Sequence, residues 1–559
     1  MLLGMVVVTG VLFRLAHYLA NVSLSLDESF LALNLFSKSY WQLAGPLNFN
    51  QAAPVGFLEL EKLALAVPAD TSYLLRLLPF LASLLALLLF YRLSITTVDK
   101  RGRIIALVAF AASDPLIYYS ATAKQYSLDV TVALAMYVLM SRPERLKTAR
   151  TLASAALLGA VAVWLSHPSA FVLFAVVTVV IATSWAGKAW SMLASWCGVA
   201  LVWMSSFTIA YAVSQSNLES IQTSLSGTNA FLPQAGDSSS FWEAITELQY
   251  LAGTEDTSSG ESAIQLLLGG IAVNEVATLG LLGIALIGVV DRLRRLPAVA
   301  YVLVAPAVAA GVASLIGQYP LLGRTLVFLI PGLCLLIGQG FAALHELLRP
   351  RVKLLVPGLS VLLMVPILLL PVRHLVQPRV NEDMLSTLEV LDRQRKTGDA
   401  LYVYFAAQYA LSYYLQCECA DLKLTEQWRL IPTRGGRQQW AQALSSTQPD
   451  LVVGRRDARR EDRADESGLE LLRDQKRVWI LVAEIPSGAK QALLRRADRL
   501  GRQIAVYASG GPDGTRAELY LFDFGGKRRT VGDSSRSGTG SVRVIDADTQ
   551  QRDTPMQAT

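Results

Sequence analysis

Two adjacent carboxylates, Asp27 and Glu28, stand directly after the first apolar run, in "SLSLDESFLALNLFSKSYWQL". A carboxylate at such a boundary can be merely solvated, or it can be held at a membrane surface to draw a proton from a nucleophile. Three distant stretches carry side chains that could complete a reaction centre. "FNQAAPVGF" offers Asn50 and Gln51; "SDPLIYYSATAKQYSLDV" offers Asp114, Tyr118, Tyr119, Lys124, Gln125, Tyr126 and Asp129; "GQYPLLGRTLVFLIPG" offers Gln318, Tyr319 and Arg324. A carboxylate with a lysine and an arginine suits a reaction in which cations bind a lipid-borne anion while the carboxylate activates a nucleophile. A sugar leaving as a lipid phosphate needs no general acid, but it needs positive charge around the departing oxygens. The acceptor hydroxyl needs a base close to its proton. A soluble glycosidase instead places two carboxylates across one bond.

Each residue also has a plainer reading. Asp27 could cap a helix through its orphan N–H groups, and Glu28 could be a first-turn acid. Lys124 could snorkel from a helix end, and Asp114-Pro115 could be a turn or helix start. His167, before Pro168, reads as structural. Asp129 and Arg324 are harder to dismiss, because each lies in an apolar stretch where an unpaired charge costs several kcal/mol (about 2.5 or more).

The elements that must carry these residues follow from composition. The 559-residue chain is 53% hydrophobic and only 17% charged, with a mean hydropathy of +0.40, which points to a polytopic α-helical membrane protein. The net charge of +6 would suit nucleic acid at first sight. Its position argues otherwise, because Lys and Arg gather in short loops between apolar runs and in the polar C-terminal third. Apolar runs at 3–20, 73–93, 104–118, 127–140, 152–167, 169–187, 191–213, 272–290, 298–317, 325–345 and 354–373 give about eleven transmembrane helices by the length rule. The first has no small-residue cleavage site behind it and reads as a retained helix.

Lys and Arg mark alternate connections: Arg92 to Arg103, Arg142 to Arg150, Lys188, Arg292 to Arg295 and Arg349 to Lys353. These are cytoplasmic by the positive-inside rule. Between Lys188 and Arg292 there is no Lys or Arg, while Glu219, Asp237, Glu243, Glu247, Glu255, Asp256 and Glu261 occur, so that loop is expected outside. The candidate residues then share the outer face, with "DESFLALNLFSKSYWQL" expected to lie along the interface.

The membrane module is expected to occupy residues 1–374. Beyond it, "GDALYVYFAAQYALSYYL", "PDLVVG", "RVWILVAEI", "RQIAVYASG" and "AELYLFDF" read as strands, with a helix in "SGAKQALLRRADRLG". Residues 375–525 are read as a small extracytoplasmic α/β domain, and 526–559 as a disordered tail that cannot bury a core. Four cysteines do not make a disulfide framework. Cys197 and Cys334 lie in apolar runs, and Cys417-Glu418-Cys419 has metal or redox readings without a nearby His or Cys partner.

The acidic pair after the first span resembles the signature of the membrane glycosyltransferases of the C-type fold. The nearest pattern is the family 39 group, which includes protein O-mannosyltransferases and the aminoarabinose transferases that modify lipid A. "NQAAPVGFLELEKL", "YYSATAKQYSLDV" and "YPLLGRTLVFLIPG" are similar to bacterial members, and the resemblance covers residues 20–340. It implies that Asp27 is the general base, or orients the acceptor, with Glu28 as its supporting neighbour. It matches Lys124 and Asp129 to the basic and acidic positions of the second outer loop and Arg324 to an arginine that holds the donor phosphate. Gln51, Tyr126 and Tyr319 complete the expected substrate-binding set.

Ala53-Pro54 departs from the Lys-Pro of aminoarabinose transferases, and the repeat domains of eukaryotic O-mannosyltransferases are missing. The chain is read as a multi-pass inner-membrane protein that transfers a sugar from a polyprenyl-phosphate donor to a protein, lipid or glycan hydroxyl outside the cytoplasm, with inversion expected because a single carboxylate is poised to activate the nucleophile. No cofactor is implied; metal dependence is left open, with no tight cluster of ligands in the sequence. Two other classes fit a chain of this kind. A transporter or lipid flippase would be expected to show inverted repeats and broken helices near the midplane, and a non-catalytic envelope scaffold could keep the same fold.

Overall fold

Backbone inside a bilayer must satisfy its own hydrogen bonds, and in the computed structural model each of the eleven apolar runs is mainly helical over its described residues. The structure describes residues 1–140, 148–225, 231, 275–348, 355–380, 382–417, 419, 422–424, 431–432, 444–445, 450–456, 464–483, 485, 487–509, 517–525 and 543–546. The helices of the membrane module begin with α1 (Leu2–Ala20), α2 (Leu26–Ser37), α3 (Tyr40–Leu43), α4 (Val55–Ala64), α5 (Thr71–Thr97), α6 (Lys100–Ala111), α7 (Asp114–Tyr118) and α8 (Tyr126–Met140). They continue with α9 (Ala149–Leu165), α10 (Ser169–Ala186), α11 (Trp190–Leu225), α12 (Glu275–Arg295), α13 (Pro297–Leu315), α14 (Ile330–Leu347, entered through a 3₁₀ stretch, Gly323–Leu329) and α15 (Leu355–Val376). Among the described residues seven of these are long and apolar enough to cross a membrane, or eight if the α6–α7 pair is one span. Of the remaining runs, α8 and α9 are shorter apolar helices. The run read as one span at 104–118 bends by 50°, because Ser113-Asp114-Pro115 starts a new helix with proline in its first turn.

Two polar belts close the bundle. In one, Arg292 reaches Asp99 at 3.2 Å and Asp291 at 3.1 Å, while the Gln339 amide donates to both carboxylates. This belt joins two of the connections marked by basic residues through Gln339 of α14. In the other, Asn217 holds Gly45 and Leu47, and Gln222 donates to Gln318. The first, fourth and fifth intervening connections therefore share the opposite face, as the charge count requires. Residues 237–261 of the acidic loop lie outside the described residues. Between the belts, α14 is gripped through glycines: a Cβ on Gly338 or Gly102 would enter the other helix's backbone, as would one on Gly340 or Gly288. Small residues permit this close backbone approach.

The C-terminal region comprises α16 (Met384–Gln394), β1 (Ala400–Val403), α17 (Ala407–Tyr414), β2 (Leu451–Val453), β3 (Arg477–Val482), α18 (Ser487–Leu500), β4 (Arg502–Ser509), β5 (Ala517–Asp523) and β6 (Arg543–Asp546). The sheet order is β6-β4-β5-β3-β1-β2, with β1 parallel to both β2 and β3 and β5 antiparallel to its neighbours. "GDALYVYFAAQYALSYYL" is strand only over Ala400–Val403; its second half is α17, which buries Tyr409 and Tyr413 completely. The expected tail contributes β6 to the sheet edge, and its other residues lie outside the described ones. Cys417 and Cys419 form a disulfide, which replaces their metal reading.

This domain does not stand apart from the membrane module. Ser23 donates to Asp383 at 2.6 Å, the Leu24 N–H to Tyr414 Oη at 3.0 Å, and Thr71 to the Cys417 carbonyl at 3.0 Å. One core unites Leu31, Leu35 and Phe57 of the first outer loop with Leu401, Leu411 and Trp479 of the domain. The helix expected to lie along the membrane interface, α2, is thus buried over most of its length against α17.

Candidate active site

The turn from α1 into α2 sets the position of Asp27. Asn21 ends α1 in the left-handed conformation, and Arg76, buried in α5, donates to the Asn21 side chain and the Val22 carbonyl, both at 2.6 Å. Ser25 caps α2 and Glu28 completes a capping box with it. Glu28 is therefore the first-turn acid of its plainer reading, and more. One oxygen accepts from the Ser25 N–H and hydroxyl at 3.0 and 2.9 Å. The other accepts from the Ala123 N–H at 2.8 Å and lies 3.8 Å from Arg76. It thereby ties the second outer loop to the first.

Asp27 faces the other way. Its Oδ2 lies 2.7 Å from Arg324 Nη1 and 3.8 Å from Lys124 Nζ. Lys124 donates to Gln51 Oε1 at 2.7 Å. Burial works to raise the Asp27 carboxyl, but Lys124, Arg324 and a hydrogen bond from Gln51 outweigh it and hold it at about 2. Lys124, itself buried, is lowered by desolvation against the pull of Asp27. Asp27 and Arg324 keep 38% and 42% of their side chains exposed, so this ion pair is open to an incoming ligand while Lys124 is not. The four residues come from four separate sequence stretches and meet on one face.

Tyr126 joins this group electrostatically, and its ring meets Tyr119 edge-on at 4.7 Å. Asp129 and Tyr319 lie deeper. Asp129 is buried beside Ser166, and Tyr319 donates to the Thr325 carbonyl at 2.7 Å while its ring meets Phe171. A neighbouring cluster was only partly foreseen: His374 pairs with Asp114 at 2.7 Å, and Arg379 lies 3.6 Å from Asp114 and 4.6 Å above the Tyr118 ring. Arg76 and Arg379 were missed. Arg76 had a visible signal, since an arginine inside "YLLRLLPF" must find partners at membrane depth; Arg379 had none.

The approach to Gln51 is unusual. Phe49 and Asn50 have φ of 63° and 48°, a left-handed conformation that costs a non-glycine residue about 1–3 kcal/mol. The Phe49 ring packs against Phe30 at 5.4 Å and Tyr409 at 5.0 Å. Among the described residues no three His, Cys, Asp or Glu side chains converge as metal ligands. The cation open to an anion here is Arg324, with buried Lys124 behind it.

The architecture is that of a multi-pass helical membrane protein with an α/β domain docked over one polar face. No protein-family model and no curated protein matches the sequence. Similar solved structures include ArnT from Cupriavidus metallidurans bound to undecaprenyl phosphate, at 12% identity over 93% of this chain and 98% of that one, TM-score 0.49. They also include the archaeal oligosaccharyltransferase AglB from Archaeoglobus fulgidus in complex with an inhibitory peptide and a dolichol-phosphate, at 11% identity, covering 92% and 74%, TM-score 0.46. A third is the arabinofuranosyltransferase AftD from Mycobacteria, at 16% identity, covering 94% and 40%, TM-score 0.40. At these scores and identities, what the site does has to be argued from its own residues.

Proposed function

We propose that this protein is a membrane glycosyltransferase of the C-type fold, family 39-like, which moves a sugar from a polyprenyl-phosphate carrier to an acceptor hydroxyl outside the cytoplasm. The observation that carries the reading is the open ion pair of Asp27 with Arg324, backed by buried Lys124, at the face opposite the basic loops. A phosphate entering this site competes with Asp27 for Arg324. As the cations turn to the phosphate, their hold on Asp27 weakens and its proton affinity rises from the resting value of about 2. The same event that binds the leaving group thus readies the base.

In the proposed step the acceptor oxygen attacks the anomeric carbon and the bond from that carbon to the phosphate oxygen breaks. The hydroxyl proton passes to Asp27 and then to water. The leaving polyprenyl phosphate keeps the bonding pair, stabilised by Arg324 and Lys124. Single displacement with inversion is supported by Glu28, both of whose oxygens are engaged in holding backbone. Tyr126 lines this centre; Asp129 and Tyr319 form the deeper wall against which the sugar would rest. The Cys417–Cys419 disulfide supports an oxidising, extracytoplasmic setting for the C-terminal domain.

The test is transfer from a radiolabelled polyprenyl-phosphate sugar in proteoliposomes. Asp27→Asn at equal abundance is expected to lose transfer by a factor of about 10² or more, the range for a positioned base. Arg324→Ala is expected to raise the apparent donor KM with folding intact. Full turnover by Asp27→Asn removes Asp27 from the mechanism, and donor accumulating inside without covalent transfer identifies a transporter instead.

A further inference from the structure

Phe49 is a bulky residue in a conformation that its own backbone disfavours, so something outside the loop has to hold it there. The holder is in the C-terminal domain. Tyr409 of α17 meets Phe49 edge-on at 5.0 Å and Phe30 at 4.6 Å, and Phe405, at the end of β1, meets Tyr409 at 5.7 Å. Phe30, Phe405 and Tyr409 are each at least nine-tenths buried. Two residues beyond Phe49 is Gln51. Its Nε2 donates to the Phe49 carbonyl at 3.3 Å and its Oε1 accepts from Lys124 at 2.7 Å, which sets its amide beside the Lys124–Asp27 pair. The direction of the Gln51 amide depends on the left-handed pair that precedes it.

We propose that Tyr409, with Phe405, is a positioning residue for the reaction centre: it clamps the Phe49 ring, fixes Phe49-Asn50 in the left-handed conformation, and so aims Gln51 between Asp27 and Lys124. The C-terminal domain then completes the site without touching the reacting atoms. This rests on the reading of Asp27 as the reactive carboxylate, so one readout is chosen that needs no donor.

Carbodiimide couples to protonated carboxyls, and the rate at which Asp27 is labelled at pH 5, followed by peptide mass spectrometry, reports its proton affinity. Tyr409→Ala frees the loop and withdraws the Gln51 amide, one of the groups that hold the Asp27 carboxyl low. The expected result is labelling of Asp27 several-fold faster than in wild type, a full pKa unit corresponding to tenfold. Tyr409→Phe keeps the ring and is expected to label like wild type. Adding Asn50→Gly or Phe49→Gly cannot restore a missing ring, but glycine adopts this conformation without cost. Tyr409→Ala/Asn50→Gly is therefore expected to move part of the way back.

In the transfer assay Tyr409→Ala is expected to lose kcat about tenfold while the donor KM changes less than twofold. Unchanged labelling in a folded Tyr409→Ala protein overturns the proposal. So does a faster rate that Asn50→Gly leaves untouched, since that marks general loosening. A wild type with no transferase activity sinks the functional reading alone and leaves the labelling result to stand.

Discussion

Asp27 and Glu61 show how burial gives two acids opposite fates. Asp27 is desolvated yet ionised, because two cations and an amide face it. Glu61, on α4, is wholly buried, and neither of its oxygens has a hydrogen-bond partner. With burial as its only influence, its carboxyl is pushed well above the usual range. An acid whose folded pKa is raised stabilises most below its unfolded value near 4.5, and that contribution is lost as pH rises toward the folded value. At a pH between the two values, folding must therefore take a proton from water. Glu61→Gln removes that requirement and Glu61→Met also removes the unsatisfied oxygens. Both are expected to raise stability at pH 7, Glu61→Met by about 1–3 kcal/mol. Thermal unfolding in detergent at pH 5 and pH 8 checks this: the gain should be larger at pH 8, and an equal gain at both would show that Glu61 is not held neutral.

At the scale of elements, neighbouring acids on α2 separate into two tasks. Glu28 satisfies the Ser25 N–H and hydroxyl and the Ala123 N–H, so Glu28→Ala unmakes a helix cap and a loop anchor together. The expected cost is about 2–4 kcal/mol, combining a cap with a buried donor left unpaired. Asp27→Asn, which can still accept from Arg324, is expected to cost under about 1 kcal/mol while abolishing transfer. Parallel unfolding and transfer assays distinguish the pair; equal destabilisation by both would make Asp27 a structural acid.

This division was half legible in the sequence. Glu28 as a first-turn acid, the apolar runs and the strands of "RVWILVAEI" and "AELYLFDF" are local patterns, and the structure repeats them; the helix cap read at Asp27 belongs to Ser25 instead. Lys124, Gln51 and Arg324 could be placed with Asp27 only through topology, by counting basic loops. What stayed hidden depends on tertiary packing: the bend before Pro115, the burial of α2 under α17, and the left-handed Phe49, which no residue type announces. The helical half of "GDALYVYFAAQYALSYYL" was hidden too, because a short apolar run fits strand or buried helix equally well.

For the whole molecule, the question is whether the membrane module and the α/β domain are two units or one. Separate domains meet through modest polar surfaces and move as the default. Here a single apolar core crosses the boundary, with Leu31, Leu35, Leu43 and Phe57 packed among Leu401, Leu411, Tyr413 and Trp479. The hydrogen bonds of Ser23, Leu24, Thr71 and Ser72 lie around it. Cutting the chain after residue 380 would bare that apolar face of the first outer loop to water, where each fully exposed Leu or Phe forfeits about 1.5–3 kcal/mol. The loop that carries Asp27 and Gln51 would lose its cover, whereas α5, α6 and α14 would keep their mutual packing between the belts. The truncated protein is therefore expected to insert and stay in the membrane, yet to be cleaved by added protease within residues 26–64 under conditions that leave the full chain intact. Protection of that segment in the truncated chain would mean that the outer loop holds itself, and that the shared core is a contact between independent domains.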